Sequence, residues 1–578
     1  MSSNNKDNQK KYEALQKLRH SAAHLLAHAL SELYPDTKLT LGPPTADGFF
    51  YDCLPTKNFK LEDLPAIEKR MHEISARNLP LEHKQISKEE ARTLYADNPY
   101  KLELIDGIPG NTVGLATQGN FHDLCKGGHV ERTGDIKHFK LTALSGSYWR
   151  ANKNNDALQR ISGTAFLTQE DMQAEEKRKA DLELYDHRKL GKQLDYFSFH
   201  QEGPGFPFFH PKGTIVLNEL KNYMRTVLQE AGYKEIETPT MLSDELWRNS
   251  GHYDHYKENM YFSTIDEKSY AIKPMNCPGS ILVYKERPRS YRELPLRLME
   301  FGKVHRHELS GVLHGLFRVR AFTIDDTHIY CTIDQIESEI KTNIGIITRV
   351  MKKFGLEKNL HIVLSTKPKK AMGSDEIWTK AINALKNSLE QADLTYEVAE
   401  GDGAFYGPKI GFEFIDSMGR AWGCGTIQLD FFQPENFNLS YVASNGSQQR
   451  PVILHQAIYG SLERFFGTIL EHFKGHLPFW LTPVQARILT ISQEQYPTAQ
   501  ALYTQLKNEH MRVEIDTSGA TLAAQIKDAQ LDKIPWMIIL GKKEVENGTL
   551  TLRYSTGKQE NSISYQTLLD KKNELISF

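Results

Sequence analysis

Three groups of residues in this chain carry side chains able to do chemistry. Residues 301–322, FGKVHRHELSGVLHGLFRVRAF, read as a strand, a polar glycine-containing loop and a second strand, with Arg306, Glu308, Arg318 and Arg320 along them. Guanidinium groups fork around phosphate oxygens and keep their charge at neutral pH, so such a segment suits a polyphosphate; a solvated strand face would show the same spacing. A second group is His20, His24 and His28, which recur every four residues and so share one face of a helix. FHDLCKGGHV, residues 121–130, adds Asp123, Cys125 and His129 beside a glycine turn. The glutamate of HExxH is missing, which argues against a zinc protease and leaves a structural or a catalytic histidine face. The third group, Cys277, His328 and His455, has none of the short spacings that reveal a metal site, and each residue reads alone as a buried one.

The elements that must position these groups follow from periodicity. Residues 18–33 repeat apolar side chains at helical spacing up to Tyr34-Pro35, which predicts an amphipathic helix behind a polar tail, residues 1–17. Short strands and helices with glycine turns continue to about residue 168, and the highly charged stretch 169–192 predicts a solvated linker helix. Between 193 and 475, patterns such as YAIKPMN, LRLMEFGKVHRH and IGFEFID predict a large antiparallel sheet with helices against it. From 476 to 578, ARILTIS, RVEIDTS, IPWMIILG and LTLRYST alternate with helical patterns, as in a small α/β domain. A chain of 578 residues exceeds what one core supports, so this α+β and α/β multidomain organisation is expected.

Composition narrows the classes. No run of about 18 apolar residues is present, and the polar, lysine-rich start lacks the apolar stretch of a secretory signal, so a cytoplasmic protein without a membrane role is expected. Five widely spaced cysteines argue against a disulfide framework. A net charge of -2 offers no global attraction for nucleic acid, so any such contact needs local basic patches.

Residues 301–322 resemble motif 2 of the class II aminoacyl-tRNA synthetases, and in detail the threonyl-tRNA synthetases. IKPMNCPG (272–279), TIDDTHIYC (323–331), GAFYGPKIGFEF (403–414), CGTIQLDF (424–431) and LHQAIYGSLERF (454–465) follow in that family's order. The resemblance runs from about His20 to the C-terminus. It implies a class II antiparallel-sheet catalytic core, an α+β editing domain over 18–168, and a C-terminal α/β anticodon-binding domain. It also implies that Arg306 holds the α-phosphate of ATP and Arg318 the γ-phosphate, that Phe322 stacks on adenine, and that Arg464 faces the phosphates from the other side. Glu308 and Gln428 join this ATP site, while Asp326, Tyr406, Lys409, Thr426 and Ser461 line the amino-acid and adenylate pocket. His252, in SGHYDHY, matches a histidine that helps deprotonate the tRNA ribose. The GPGF segment and Pro239 resemble the motif 1 region, which implies a homodimer.

The same resemblance makes Cys277, His328 and His455 three ligands of one Zn²⁺ with an open position, the arrangement of a functional site. Threonine and valine are nearly isosteric, and an apolar pocket separates such pairs by only about 10². A metal that takes amino group and hydroxyl together rejects valine, with Asp326 accepting the hydroxyl's hydrogen bond. Serine offers both groups and lacks one methyl, worth roughly 1 to 3 kcal/mol, so it leaks through. HSAAH with DLCKGGH resembles the family's editing site, which hydrolyses Ser-tRNA(Thr), and assigns His20, His24, Lys101, Asp123, Cys125 and His129 to it, with water attack and a non-covalent role for Cys125. Residues 147–166, SYWRANKNNDALQRISGTAF, resemble the motif shared with alanyl-tRNA synthetase editing domains.

The partners implied are tRNA(Thr), L-threonine and ATP with Mg²⁺, with Glu544 and Arg553 reading the anticodon. Departures from the family are Ile324 and Gly423 where glutamines are usual, Ser280 after MNCPG, Ala321, and no basic residues around Gly519, Thr521 and Gln525. They point to an altered substrate pocket and a thinner anticodon surface. The family's small ubiquitin-like N-terminal domain is not expected in this sequence. The alternative is a non-synthetic paralogue, an RNA-binding regulator or a deacylase.

Overall fold

The protein is described by a computed structural model over residues 3–152, 154–369, 371–415 and 420–576. It divides into two compact units, Met1–Ala180 and Asp181–Phe578. In the first, the helix Ser3–Leu33 stops at Tyr34-Pro35, where the sequence ends its apolar pattern. It starts far earlier than expected, so the polar tail is helical from Ser3. Lysine, glutamine and alanine are good helix formers, and the exposed stretch from Lys10 to Ala14 needs no apolar partner. Ala22, Ala23, Leu25, Leu26 and Leu30 bury against the antiparallel sheet that contains Phe49–Leu54, His138–Tyr148 and Ala157–Phe166. A second antiparallel sheet, Leu81–Ser87, Thr112–Gln118 and Phe121–Leu124, carries the DLCKGGH segment at its end.

The expected linker helix is two helices. Gln169–Leu184 has no buried residue, but Asp186 accepts the backbone N–H of Arg188 and starts a new helix, His187–Gln193, whose His187, Leu190 and Gly191 are buried. An aspartate N-cap overrides the charge pattern that read as one solvated helix.

The second unit is built on an eight-stranded sheet in the order Lys234–Glu235, Leu296–His305, Ala321–Cys331, Val452–Ser461, Ala421–Asp430, Lys409–Ile415, Leu360–Ser365 and Glu397–Ala399. Only its two edge pairings are parallel. The YAIKPMN strand, Lys268–Ile272, lies apart from it in a three-stranded sheet. Helices Pro211–Glu230, Ile336–Lys353 and Leu462–His472 pack their apolar stripes on the large sheet. Near the C-terminus, Val513–Ile515, Ala486–Thr490 and Trp536–Leu540 run parallel, and Leu550–Tyr554 and Gln559–Ile563 complete that sheet antiparallel. Among the described residues no helix is long and apolar enough to cross a membrane.

Candidate active sites

The strand Ala321–Cys331 is the axis of the central site, because alternation puts Phe322, Ile324, Asp326 and His328 on one face. Its partner carries two extra residues, since Ile324 pairs with Ser461 but Asp326 with Ala457. The bulge would strand backbone donors, and buried Asp325 collects them, accepting the N–H groups of Ile458, Tyr459 and Gly460 at 2.8 to 3.0 Å. The bulge turns the chain into the helix Leu462–His472, capped by Ser461, whose hydroxyl accepts Arg464 N–H at 3.2 Å.

These elements enclose a cavity of about 790 Å³ lined by Arg306, Arg318, Arg464, Phe322, Tyr406 and Lys409, among others. Arg306 donates Nε to the Pro274 carbonyl at 3.2 Å and lies over the Phe322 ring. Arg464 donates Nε to the Phe317 carbonyl at 3.0 Å, and Arg318 meets Glu308 at 3.0 Å. Each arginine is anchored through Nε, which leaves its terminal nitrogens for a ligand. Arg320 does otherwise: it spends its guanidinium on Glu308 O, Pro204 O and Ser310, a structural role. Ile324, Gly423, Thr426, Gln428 and Ser461 line the same cavity, and Tyr406 donates its hydroxyl to Gln428. A Cβ at Gly423 would meet nothing, so this wall is open.

Cys277, His328 and His455 also line the cavity, and their ligand atoms fall within 4.8 Å of one another. The cysteine starts the helix Cys277–Lys285, and the two histidines face each other across paired strands, His328 opposite His455. His328 Nε2 is buried without a hydrogen-bond partner, its nearest carboxylate oxygen, Asp326 Oδ1, standing 3.9 Å away, which costs free energy unless a ligand takes its lone pair. Burial, then His455, keeps His328 well below its ordinary value and hence neutral, as a metal ligand must be. His455 Nε2 is 2.9 Å from Asp430 Oδ2, so a carboxylate fixes its tautomer and turns its other nitrogen free. A cysteine, two imidazoles and a carboxylate behind one of them suit zinc. Asp326 stands beside them, with Asn276 Nδ2 donating to its Oδ2 at 3.0 Å; burial pushes its carboxyl up to about 6 against that bond.

His252 does not line the cavity. It is fully buried, with Nδ1 2.8 Å from Ser250 Oγ and Nε2 facing Met275 Sδ and the Cys277 sulfur.

In the first unit, the helical spacing and the loop do converge. His20, His24, Cys125 and His129 place ligand atoms within 4.8 Å, close enough to hold a metal as well as to act on a substrate. His24 Nε2 meets His20 Nε2 at 3.3 Å, and Cys125 Sγ lies 3.4 Å from His20 and 3.0 Å from His129. His24 Nδ1 bonds Asp123 Oδ2 at 3.0 Å, and Lys101 pairs with the other Asp123 oxygen. Burial opposes charge on His24, but the bond to Asp123 raises it to about 9. Burial also works against the Asp123 carboxylate, and Lys101 and His24 override it, holding it well below the carboxylate range. For Cys125 burial is likewise outweighed: hydrogen bonds from His129, His20 and His24 bring the thiol down to about 3. The cluster thus sets the Cys125 sulfur and the Asp123 carboxyl against the His24 ring and the Lys101 side chain. The third helix-face histidine, His28, bonds Gln118 and Glu32 and stacks on Phe121 outside this cluster. Tyr51, which donates to Asp123 Oδ2 at 2.6 Å, was not legible as a site residue; neither were Asn276 and Asp430.

Near the C-terminus, Glu544 is engaged internally, accepting Gly541 N–H and the Thr551 hydroxyl at 3.0 Å each. Arg553 reaches Gln559 at 3.4 Å. Gln525 is buried, donating to the Thr490 and Ala520 carbonyls, so a glutamine there braces a loop.

A mainly antiparallel sheet carrying arginines at one cavity and entering a helix through a bulge defines a class II aminoacyl-tRNA synthetase core. Residues 261–473 match the family model described as the class II core domain (G, H, P, S and T). Residues 485–575 match the anticodon binding domain and 113–162 the second additional domain of threonyl and alanyl tRNA synthetases. A threonine–tRNA ligase of Thermotoga maritima is 50% identical over 571 residues, covering 98% of this chain and 89% of the relative. One from Acetivibrio thermocellus is 49% identical over 561 residues, 96% and 88%. The solved RNA binding domain of a threonyl-tRNA synthetase from Cryptosporidium parvum aligns with a TM-score of 0.66 at 40% identity, covering 68% of this chain and 98% of that one. The chain belongs to the threonine–tRNA ligase family.

Proposed function

We propose that this protein activates threonine with ATP, transfers it to the 3′ end of tRNA(Thr), and hydrolyses Ser-tRNA(Thr) at its N-terminal site. The observation that carries the reading is one cavity lined both by Arg306, Arg318 and Arg464 and by Cys277, His328 and His455. Nucleotide phosphates, arriving with Mg²⁺ as part of the substrate, would take the free arginine nitrogens, with adenine on Phe322. The arginines then stabilise charge as a threonine carboxylate oxygen bonds the α-phosphorus and the bond to the β-phosphate oxygen breaks, releasing pyrophosphate. Cys277, His328 and His455 would hold zinc, which supplies coordination for an amino group and a neighbouring hydroxyl. Asp326, oriented by Asn276, accepts the hydroxyl's hydrogen bond, and valine has no hydroxyl to donate one. In editing, the saturated Cys125 sulfur and the Asp123-bound His24 favour orienting a water and the ester over forming a covalent intermediate. His252, enclosed as it is, reaches a tRNA ribose only if the segment after Gly251 opens. Glu544 and Arg553 are assigned to anticodon contact, the GPGF segment and Pro239 to a homodimer interface, and the protein to the cytoplasm.

Threonine-dependent ATP–pyrophosphate exchange is the test: absence of exchange with zinc present sinks the synthetase reading. For editing, His24→Ala accumulates Ser-tRNA(Thr), and normal clearance by the variant shows that the N-terminal site is misassigned.

A further inference from the structure

His187 is completely buried at the start of the helix His187–Gln193, and the chemistry above does not use it. Its Nδ1 lies 2.6 Å from Glu471 Oε1, and Glu471 also accepts its backbone N–H at 2.9 Å. Its Nε2 lies 2.9 Å from Leu316 N. A backbone N–H only donates, so Nε2 accepts and the ring is the neutral tautomer that gives its Nδ1 proton to Glu471. The second Glu471 oxygen takes Arg420.

Glu471 stands seven residues after Arg464 on the helix Leu462–His472, two turns along the same face. Arg464 holds the Phe317 carbonyl at 3.0 Å. One helix face therefore grips backbone groups of two successive residues in the loop before Arg318: Leu316 N–H through His187, and Phe317 C=O directly. The loop closes tightly on both. A Cβ at Gly467, between the two grips, would stand 2.8 Å from the Phe317 ring, and one at Gly315, where φ is +47, would stand 2.1 Å from His187 Nε2. The Phe317 ring packs 4.0 Å from both His187 and Trp422.

We propose that His187 is a positioning residue for the nucleotide: through the Glu471–His187–Leu316 chain it sets the loop that aims Arg318 and Arg464 into the cavity. The proposal rests on the synthetase reading. Its contacts run to Glu471, to Phe197 and to the arginine loop and include none of Cys277, His328, His455 and Asp326, so its loss separates two substrates that share one cavity.

The test is threonine-dependent ATP–pyrophosphate exchange by the full chain, wild type beside His187→Ala, His187→Gln and Gly467→Ala. Glutamine offers one donor and one acceptor in place of the imidazole. The expected result is a KM for ATP raised roughly tenfold in His187→Ala with KM for threonine within about twofold, and partial return in His187→Gln. Gly467→Ala should give the same ATP-selective change by pushing on Phe317. If His187→Ala does not fold, Gly467→Ala decides. Equal rises in both KM values, or unchanged ATP kinetics in the folded variants, overturn the proposal. Absence of exchange in the wild type instead sinks the synthetase reading, so the two failures are distinguishable.

Discussion

Tyr51 and Asp123 lie 72 residues apart in the chain, yet the tyrosine hydroxyl donates to Asp123 Oδ2 at 2.6 Å, on the oxygen that His24 Nδ1 also reaches at 3.0 Å. Lys101 touches both partners, bonding the tyrosine oxygen at 3.1 Å and pairing with Oδ1. Asp123 is thus saturated, and its charge sets the orientation and protonation of His24.

Removing one donor should loosen that orientation without emptying the site. Tyr51→Phe is expected to slow Ser-tRNA(Thr) hydrolysis roughly tenfold while leaving threonylation unchanged, since a buried hydrogen bond to a charged group contributes about 1.5 to 3 kcal/mol. Deacylation of purified Ser-tRNA(Thr) measures it, and wild-type rates would show that Asp123 needs only Lys101 and His24.

The same network makes stability depend on pH. His24 is raised to about 9 by Asp123 against burial, so its contribution is complete below its unfolded value of 6.5 and fades as pH climbs through 9. Asp123, depressed by Lys101 and His24, contributes above its unfolded value of 3.8 and loses that only in strong acid. The Cys125 thiol, brought down to about 3, opposes this by gaining stability as pH rises toward its unfolded value of 9.0; with that group removed in Cys125→Ser, the first unit should melt lower at pH 9.5 than at pH 6, by a few degrees. His24→Asn should flatten this slope in differential scanning calorimetry; an unchanged slope would assign it to other groups.

The metal reading predicts a stoichiometry. One zinc per chain is expected by elemental analysis, lost in Cys277→Ser together with threonine activation. Asp430→Asn, which leaves all three ligands but releases His455 from its carboxylate, should weaken zinc affinity about 10- to 100-fold. Zinc retained by the Cys277→Ser protein would move the metal elsewhere.

What the sequence made legible is what is local. Arg306, Arg318 and Arg320 all lie in the one segment between the strands Leu296–His305 and Ala321–Cys331, and His20 with His24 on one helix, so local sequence brought each group to notice. His328 and His455 became neighbours only through the register of two strands more than a hundred residues apart, and their pairing came from resemblance. Tyr51 and His187 carried no pattern, and Asn276 and Asp430, though inside the IKPMNCPG and CGTIQLDF stretches, had no role that spacing could assign. Each is a single polar residue in an apolar run or a charged segment, and its meaning lies in the partner that the fold supplies. The Asp186 cap that splits the expected linker helix was hidden in a stretch where most positions are charged.

The threonine end of the cavity has its own support, distinct from that of the nucleotide end. Asn276 is fully buried and gives its amide to Asp326, while its Oδ1 has no partner; it fits only because residue 302 is a glycine, where a Cβ would fall 2.1 Å from that oxygen. Replacing the side chain frees Asp326 to turn and leaves the arginine loop alone. Asn276→Ala is therefore expected to raise KM for threonine roughly tenfold with KM for ATP nearly unchanged, and to narrow the threonine-to-valine ratio in pyrophosphate exchange. This is the opposite split from that expected of His187→Ala. Gly302→Ala should imitate it by displacing the amide. If Asn276→Ala binds threonine normally, Asp326 is positioned by its strand alone, and the discrimination against valine must come from the ligand triad without help from the amide.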